Sequence, residues 1–335
     1  MLRVWFNHWF STAYHLINLI AQGSECHFIG SSHNADAIYK CACNEWYEEP
    51  RNITQEDYLS WCLEFCLKHK VDIFVPRRFM TIIAANIDKF QELGTKVLAE
   101  NRDNLCTVLD DKQLTYEYVS QFLPEIVPDY AVVHSCEEFV EAYDRLKTPQ
   151  NRICYKLTRD EGAASFRVID ERVEMAGALT EKPGFKVTLE TAKKVLQLYN
   201  FAVPMLVMPY LSGNELSIDC LATPSGNIIL PRLKHVKRYS LVSFKPEILQ
   251  LCQTLLDKMA LKIPINVQLK YEDNRPYLLE INPRMSGGLQ LACKASGINL
   301  PSIAIKQLIG QEEKWQYPEF KDYKTANIET PICLP

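Results

Sequence analysis

The chain has 335 residues, enough for one large or two to three smaller domains with a substantial buried core. Its hydrophobic fraction of 47% and charged fraction of 23% are those of an ordinary globular protein. A net charge of −4 without a long basic block argues against a nucleic-acid partner and against an anionic membrane. No apolar run reaches the roughly 18 residues of a membrane span. Polar residues interrupt the apolar N-terminus, so we expect no signal peptide.

The twelve cysteines are scattered along the chain. The only close pair is Cys41-Ala-Cys43, and no second pair follows at the spacing of a zinc site. A zinc or disulfide role is the alternative, but free thiols in a reducing compartment fit the scatter better. We therefore expect a cytoplasmic protein.

Short apolar runs alternate with helical patterns over residues 1–100, which predicts a parallel sheet covered by helices. The predicted strands are Leu2–Phe6, Cys26–Ile29, Val71–Val75 and Lys96–Leu98, and the predicted helices run from Ser11 or Thr12 to about Gln22, over Tyr58–His69 and over Thr81–Leu93.

The turn after the first strand contains no glycine, so the backbone cannot approach a dinucleotide pyrophosphate there. Ligands of α/β sheets usually lie at the carboxyl ends of strands. Arg77 and Arg78 follow the strand that ends at Val75, where they contact an anionic substrate or form a solvated pair. The polar residues after the first strand either contact substrate or form a satisfied loop: Asn7, His8, Ser11 and Thr12.

A second region opens at Asp110-Asp111-Lys112, where either aspartate can cap a helix to about Gln121. Ser135–Glu138 is a capping box that starts a helix to Leu146. The remaining predicted strands are Arg152–Leu157, Phe166–Ile169, Pro204–Pro209, Leu216–Ala222 and Asn227–Leu230, and the remaining helices are Thr188–Tyr199, Phe244–Leu261, Leu289–Ala295 and a last one from Pro301 to Gly310.

Two alternating runs, Val267–Tyr271 and Tyr277–Ile281, predict a β-hairpin closed by a three-residue loop at Asp273–Arg275. In that register Leu269 lies opposite Leu279 and Gln268 lies opposite Glu280. Leu279 and Ile281 therefore share the apolar face.

The other face of the hairpin collects Gln268, Glu280 and Asn282, followed by Arg284. A carboxylate with two amide oxygens suits magnesium, which prefers oxygen ligands and shares them with phosphates. Arg284 could hold an oxyanion through two parallel hydrogen bonds. A hairpin whose exposed face is simply polar is an equally good interpretation of this spacing.

The string Glu280-Ile-Asn-Pro-Arg284 with the following Ser-Gly-Gly resembles the metal-binding signature of the ATP-grasp superfamily. The likeness is to its carbamoyl-phosphate-synthase-like and amino-acid-ligase-like members. Other elements of that superfamily occur upstream in the same order: Asp111-Lys112, Lys156 with the loop 161–165, and the segment VMPYLSGNELSID that ends at Asp219. The resemblance covers roughly residues 1–310.

The resemblance implies a set of nucleotide contacts. Lys112, Lys156 and the loop with Ser165 would contact the phosphates, although that loop has one glycine where relatives have several. Pro209 has no N–H, so a donor to adenine would come from Leu211 or a neighbour. The segment flanking adenine would be Met208, Pro209, Tyr210 and Leu211, with Glu215 as an acidic contact.

The resemblance also implies the remaining site residues. Gln268, Glu280 and Asn282 would hold magnesium, or manganese in its place, and would reach the nucleotide through it. Arg232 and Lys234 share a strand face in the basic stretch before Arg238 and would neutralise the transferred phosphoryl group. Arg284 would stabilise an acyl phosphate or an acceptor carboxylate.

The implied fold is α/β with an α+β lid. A Rossmann-like pre-ATP-grasp domain would occupy residues 1–108, a two-part ATP-grasp domain 109–310 with its lid at about 150–210, and an irregular tail 311–335. The implied activity is that of a ligase that activates a carboxylate with ATP and joins it to an amine. The alternatives are a non-catalytic nucleotide-binding protein and a carbamate or carbamoyl-phosphate enzyme; we see no biotin-carrier or glutaminase segment. The expected partners are a small acid and a small amine. The expected oligomeric state is a homodimer, because homodimers are the commonest oligomers.

Overall fold

A computed structural model describes residues 1–160, 162–172, 184–234, 239–328 and 333. The chain divides into two compact units. Unit 1 comprises Met1–Leu109, Asn214–Gln268 and Ile281–Pro335, and unit 2 comprises Asp110–Gly213 and Leu269–Glu280. The units are therefore discontinuous in sequence, and each is described by itself.

The first sheet of unit 1 is parallel and has the strand order β3-β2-β1-β4-β5. Its strands are β1 Leu2–Asn7, β2 Cys26–Ser32, β3 Glu45–Glu48, β4 Ile73–Val75 and β5 Lys96–Val97. The accompanying helices are α1 Ala13–Gly23, α2 Gln55–His69, α3 Met80–Ala84, α4 Ile87–Glu92 and α5 Leu105–Asp110, with short 3-10 turns at Ile38–Ala42 and Arg102–Asn104.

The core of this sheet explains why β4 is apolar throughout. A strand covered on both faces must bury every side chain, and β4 is buried along its whole length. Trp5 of β1 stacks on Phe65 and Phe74, with ring centroids 4.3 and 4.1 Å apart. The strand and helix alternation therefore predicted this sheet correctly.

Several local expectations for this region were wrong. The single helix expected over residues 81–93 is two helices, because the chain leaves helical geometry at Asn86. Thr12 occupies the position before α1 but its side chain makes no capping hydrogen bond. β3 was not predicted, because the residues Glu45–Glu48 lack the apolar character of a buried strand.

Unit 2 contains a five-stranded sheet of order β6-β10-β7-β8-β9, antiparallel except for the β8–β9 pair. The strands are β6 Ala131–Val133, β7 Ile153–Leu157, β8 Arg167–Ile169, β9 Lys186–Val187 and β10 Met205–Pro209. The helices are α6 Lys112–Ser120, α7 Cys136–Leu146 and α8 Leu189–Leu198, with a 3-10 turn at Pro124–Ile126.

Each of these three α-helices begins at a side-chain cap. The carboxylate of Asp111 accepts hydrogen bonds from two backbone N–H groups of α6, and the hydroxyls of Ser135 and Thr188 cap α7 and α8. The predicted capping box is only half formed, because Glu138 accepts a hydrogen bond from the N–H of His134 rather than from that of Ser135. The cap residues named in the sequence thus predicted the starts of α6 and α7 correctly.

The third sheet has the order β15-β14-β11-β12-β13-β16. Its strands are β11 Glu215–Thr223, β12 Gly226–Lys234, β13 Ser240–Val242, β14 Ile265–Glu272, β15 Arg275–Asn282 and β16 Tyr323–Thr325. The helices of this part are α9 Pro246–Met259, α10 Leu289–Ser296 and α11 Leu300–Leu308. The tail expected to be irregular therefore contains β16, which pairs with β13.

The hairpin of β14 and β15 turns over two residues, not three. Asp273 and Asn274 both have positive φ, at 48° and 62°, as a type I′ turn requires. Leu278 and Ile281 are fully buried while Leu279 is only half-buried, so the expectation that Leu279 lines the apolar face was wrong.

No helix within the described ranges combines the length and the apolar character needed to cross a bilayer.

Candidate functional site

The start of α6 brings Lys112 to the end of β7 in unit 2. Its backbone N–H donates to Thr158 O at 2.9 Å. Its buried ammonium donates to Asp160 Oδ1 at 2.7 Å and lies 3.9 Å from Glu280 Oε2. Asp111 also joins the start of α6 to the end of β7, because its second carboxylate oxygen accepts hydrogen bonds from Thr158 Oγ1 and Arg159 Nε. Lys112 and Glu280, proposed from separate motifs, therefore lie near each other.

Lys156 on β7 is also buried, and its ammonium donates to the carbonyl of Leu279 at 3.4 Å. The hydroxyl of Tyr116 donates to the same carbonyl at 3.1 Å. Burial and the positive charge of Lys112 lower the pKa of Lys156 to about 8. Unit 2 thus holds two buried lysines beside the segment that carries Glu280.

The predicted phosphate loop closes on Asp160. The hydroxyl and the backbone N–H of Ser165 both donate to Asp160 Oδ2, and the N–H of Leu157 donates to Ser165 Oγ. Burial opposes ionisation of Asp160, but its hydrogen bonds from Lys112 and Ser165 prevail and lower its pKa. Gly162 and Ala163 both have positive φ, so an alanine occupies a backbone conformation that favours glycine. Glu161, the first residue of this loop, lies outside the described residues.

The segment expected to flank adenine follows β10. Tyr210 N donates to Arg152 O at 2.7 Å, Gly213 N donates to Tyr271 O, and Ser212 N donates to the carboxylate of Glu272. Met208 and Leu211 are buried. Among the residues that the structure describes, the N–H of Leu211 has no hydrogen-bond partner. Leu211 is one of the residues from which the sequence expects a donor to adenine, because Pro209 has no N–H.

Tyr210 of this segment has cations on its ring. The guanidinium of Arg152 lies 4.6 Å and the ammonium of Lys270 lies 4.9 Å from the ring centroid. These contacts fix the orientation of the tyrosine within unit 2.

In unit 1, Arg232 belongs to a buried polar network. Its Nη2 donates to Ser217 Oγ at 3.0 Å, and burial lowers its pKa. Asp219 accepts hydrogen bonds from Ser286 N, Ser286 Oγ and Asn266 Nδ2, and burial raises its pKa. Nε of Arg232 has no partner among the described residues. Arg232, which is expected to contact the phosphoryl group, is thus fixed by its hydrogen bond to Ser217.

Lys234 and Glu215 are directly opposite residues of β12 and β11, and their side chains form an ion pair. Both were assigned separate contacts to the nucleotide, but in this structure they neutralise each other. The basic residues that follow, 235–238, lie outside the described residues.

The amide ligands expected for magnesium lie in unit 1, whereas Glu280 belongs to unit 2. Gln268 Nε2 donates to Asn266 Oδ1 at 3.3 Å, and Gln268 and Asn282 are both half-buried. Over the described parts of the chain, no three His, Cys, Asp or Glu side chains form a cluster that could hold a metal. The proposed ligands are therefore one carboxylate, Glu280, and two neutral amides, Gln268 and Asn282.

Arg284 and Arg77 both approach the ring of Phe10 at the carboxyl edge of the parallel sheet. Their guanidinium carbons lie 5.5 and 5.1 Å from the ring centroid. His8 stacks on His33 at 4.2 Å, and burial, followed by His33 and the nearby arginines, lowers the pKa of His8 to about 4. A neutral His8 and two guanidinium groups therefore occur at one edge of unit 1.

Other polar residues at this edge serve the fold. Asn7 is fully buried, donating to the Tyr58 hydroxyl and accepting from the N–H of Arg77. The guanidinium of Arg78 pairs with buried Glu49 at 3.1 Å. The satisfied-loop interpretation of Asn7 is thus the better one, and Arg78 is not a solvated residue.

Three residues of these clusters were missed by sequence reasoning: Asp160, Asn266 and Ser286. Asp160 sits three residues after a predicted strand. Asn266 precedes Gln268 by two, so Asn266 shares the face of Gln268. That shared face was the available signal for Asn266. Nothing in the sequence pairs Ser286 with Asp219.

Three comparisons relate this chain to known proteins. A family model described as "ATP-grasp in the biosynthetic pathway with Ter operon" matches residues 201–331, which include β11, β12, the hairpin and the loop after it.

The chain is similar to carbamoyl phosphate synthase large chains. It is 21% identical over 264 residues to that of Clostridium acetobutylicum, covering 73% of this chain and 23% of the relative. It is 21% identical over 356 residues to the arginine-specific large chain of Geobacillus stearothermophilus, covering 96% and 31%. The chain thus spans about a quarter to a third of the length of these relatives.

Solved structures with the same fold include N5-carboxyaminoimidazole synthetase from Staphylococcus aureus complexed with ADP, with a TM-score of 0.71, 12% identity and coverage of 98% of this chain and 82% of that one. The biotin carboxylase domain of Hydrogenobacter thermophilus 2-oxoglutarate carboxylase, in complex with MgADP, gives a TM-score of 0.68 at 12% identity, covering 94% and 71%. L-amino acid ligase from Bacillus licheniformis gives 0.64 at 12%, covering 92% and 74%.

Proposed function

Because this chain belongs to the ATP-grasp superfamily, we propose that it is an ATP-dependent ligase that joins a carboxylate to an amine. In this reaction a carboxylate oxygen attacks the γ-phosphorus of ATP, so that an acyl phosphate forms and the bond to ADP breaks. The amine nitrogen then attacks the acyl carbon, and phosphate leaves. The products are an amide, ADP and phosphate, and no protein nucleophile is required.

The observation that carries this proposal is the proximity of Lys112, Lys156 and the Leu279–Glu280 segment in unit 2. These residues are far apart in sequence, and each was assigned to ATP by a different motif. Lys112 and Lys156 bind phosphate oxygens, and the loop with Ser165 lies beside them. The N–H of Leu211 donates to the adenine, while Met208, Pro209 and Tyr210 flank it.

Bound magnesium would neutralise phosphate oxygens of ATP, and manganese would do the same. Glu280, Gln268 and Asn282 would hold it. The donor set fits, because all three side chains offer oxygen, and Gln268 commits its amide nitrogen to Asn266. Arg232 neutralises charge on the transferred group, and Lys234 with Glu215 acts as a pair beside it.

The acid is held at the carboxyl edge of the parallel sheet by Arg284 and Arg77. β1 is central in the order β3-β2-β1-β4-β5, so the chain reverses its direction of winding between β1 and β4. Ligands of α/β sheets bind at such a point. Two guanidinium groups there favour an anionic substrate.

The test is ADP and phosphate release by purified protein, screened over pairs of carboxylic acids and amines. Turnover is expected only when both partners are present. Glu280→Ala should lower it on the order of a hundredfold, because a ligand that stabilises developing charge is removed. Glu190→Ala, an exposed glutamate of α8 in the same unit, is the matched control and should leave it unchanged. Equal turnover in Glu280→Ala and Glu190→Ala would refute the role of Glu280.

A second candidate reaction is carbamate or carbamoyl-phosphate formation, and the similarity to carbamoyl phosphate synthase large chains favours it. Here bicarbonate is the acid. ATP turnover that depends on bicarbonate and an amine, with no organic acid, would select this reaction. ATP binding without turnover in any arm of the screen would instead indicate a regulatory nucleotide-binding protein.

A further inference from the structure

The proposed metal ligand Gln268 needs one particular end of its amide to face the ion. An amide group offers a carbonyl oxygen, which can bind a cation, and an NH2 group, which cannot. Rotation by 180° about the last side-chain bond exchanges the two ends with little change in shape. A glutamine ligand therefore works only if something in the protein selects its orientation.

A chain of hydrogen bonds in unit 1 supplies that selection. Asn266 Nδ2 lies 3.1 Å from Asp219 Oδ1 and 3.3 Å from the carbonyl of Ile218. A backbone carbonyl can only accept, so Asn266 must present its NH2 group to this side whether or not Asp219 is ionised. Its carbonyl oxygen then points to Gln268, whose Nε2 lies 3.3 Å away.

The first residues of this series of hydrogen bonds, Asp219 and Asn266, are held in place by burial and by further hydrogen bonds. Asn266 and Asp219 are almost fully buried, at 1% and 2% exposure, whereas Gln268 is half-buried. Asp219 is fixed by the N–H and hydroxyl of Ser286, and Asn266 Nδ2 also lies 3.0 Å from Ser217 Oγ. A buried network whose donors and acceptors are matched resists rearrangement. The acceptors at Asp219 and Ile218 therefore fix the orientation of the Asn266 amide, which in turn fixes that of Gln268.

We infer that Asn266 is a positioning residue that orients Gln268 so that its carbonyl oxygen, not its NH2 group, is the end available to a divalent cation. This inference rests on the proposed function, since it assumes that Gln268 is a ligand. In this inference Asn266 acts through Gln268 and is not itself a ligand. Residues that orient metal ligands typically contribute about ten- to a hundredfold to metal affinity.

The experiment measures Mn2+ affinity by electron paramagnetic resonance in the presence of ADP, so no turnover is needed. Asn266→Ala should weaken Mn2+ binding about tenfold or more, with ADP affinity in the absence of metal unchanged. The decisive variant adds Gln268→Glu to Asn266→Ala. A carboxylate has oxygen at both ends and needs no orientation, so the double variant should recover most of the lost affinity. Loss without recovery would mean that Asn266 is merely structural and would overturn the inference.

Two further variants separate the possible failures. Asn266→Ser keeps a hydroxyl to satisfy Asp219 but is too short to reach Gln268, so it should reproduce the loss if Asn266→Ala does not fold. Gln268→Met tests the premise. Unchanged Mn2+ affinity in Gln268→Met would refute the ligand assignment itself. Weaker binding in Gln268→Met together with normal binding in the folded Asn266 variants would refute only the orienting role.

Discussion

Lys156 is a cation whose charge depends on its burial. Removing an ammonium group from water disfavours its protonated form, and the neighbouring Lys112 adds to that effect, so its pKa falls to about 8. A phosphate group would favour the protonated form and raise the pKa of the lysine in the complex. The affinity for ATP must therefore depend on pH in the range where the free protein loses this proton.

The expected pH dependence has a definite sign. Below about pH 8 the free protein already carries the proton, so the Kd for ATP is flat. Above it, binding must also take up a proton, and the Kd rises by up to about tenfold per pH unit until the pKa of the complex is reached. Isothermal titration calorimetry between pH 6.5 and 9.5 in several buffers would show this proton uptake directly.

Lys156→Arg is the control for that experiment, because a guanidinium group stays charged throughout this range. The Kd of this variant for ATP can differ in absolute value, but it should not increase as the pH is raised above 8. A rise of the same steepness in Lys156→Arg would assign the effect to another group.

The sequence identified the charged residues of the site better than their partners. Lys112, Lys156 and Glu280 could be proposed because each belongs to a motif with a known spacing. Asp160 and Ser286 could not, because their partners lie 48 and 67 residues away along the chain. Glu215 and Lys234 were assigned separately, since their pairing depends on the register of β11 and β12, which alternation alone does not fix.

At the scale of elements, the loop after β15 approaches β12 so closely that Gly288 has no room for a side chain. A Cβ there would lie 2.2 Å from Arg232 Nη2 and 2.4 Å from its guanidinium carbon. The φ of Gly288 is −111°, which alanine can adopt, so the requirement for glycine is contact with the buried arginine. The position of this loop and the position of Arg232 are therefore coupled.

Gly288→Ala should destabilise unit 1 by about 1–3 kcal/mol, because the added methyl group displaces Arg232 from Ser217 in a packed interior. Urea denaturation followed by tryptophan fluorescence would measure this. Gly287→Ala is the matched control, since a Cβ there meets Thr12 Oγ1 at 3.1 Å, and its loss should be smaller. The mechanism also requires that Arg232→Met reduce the cost of Gly288→Ala; purely additive effects of the two substitutions would contradict it.

Element types could be predicted from the sequence more reliably than element ends and turns. Capping residues located the starts of α6 and α7, because a side-chain acceptor there satisfies otherwise unpaired N–H groups. The hairpin turn was placed one residue too long, because Asp273-Asn274 lacks the glycine that usually marks a type I′ turn.

At the scale of the whole molecule, the two units have separate hydrophobic cores. One cluster in unit 1 includes Trp5, Phe74 and Phe90, and one in unit 2 includes Phe139 and Tyr155. The sequence could not predict this division, because each unit is assembled from distant segments of the chain. All five tryptophans belong to unit 1: Trp5, Trp9, Trp46, Trp61 and Trp315. Tryptophan fluorescence therefore reports the unfolding of unit 1, whereas circular dichroism reports both units.

This distribution allows the two cores to be tested separately in the same protein. Phe139→Ala removes a fully buried ring from the core of unit 2 and should cost about 3–5 kcal/mol there. We expect the unfolding transition seen by circular dichroism to develop an earlier phase while the fluorescence midpoint stays in place. Phe90→Ala, an equally buried ring in unit 1, should instead lower the fluorescence midpoint. If Phe139→Ala moved the fluorescence midpoint as far as Phe90→Ala does, the two cores would unfold as one cooperative structure and their thermodynamic independence would be disproved.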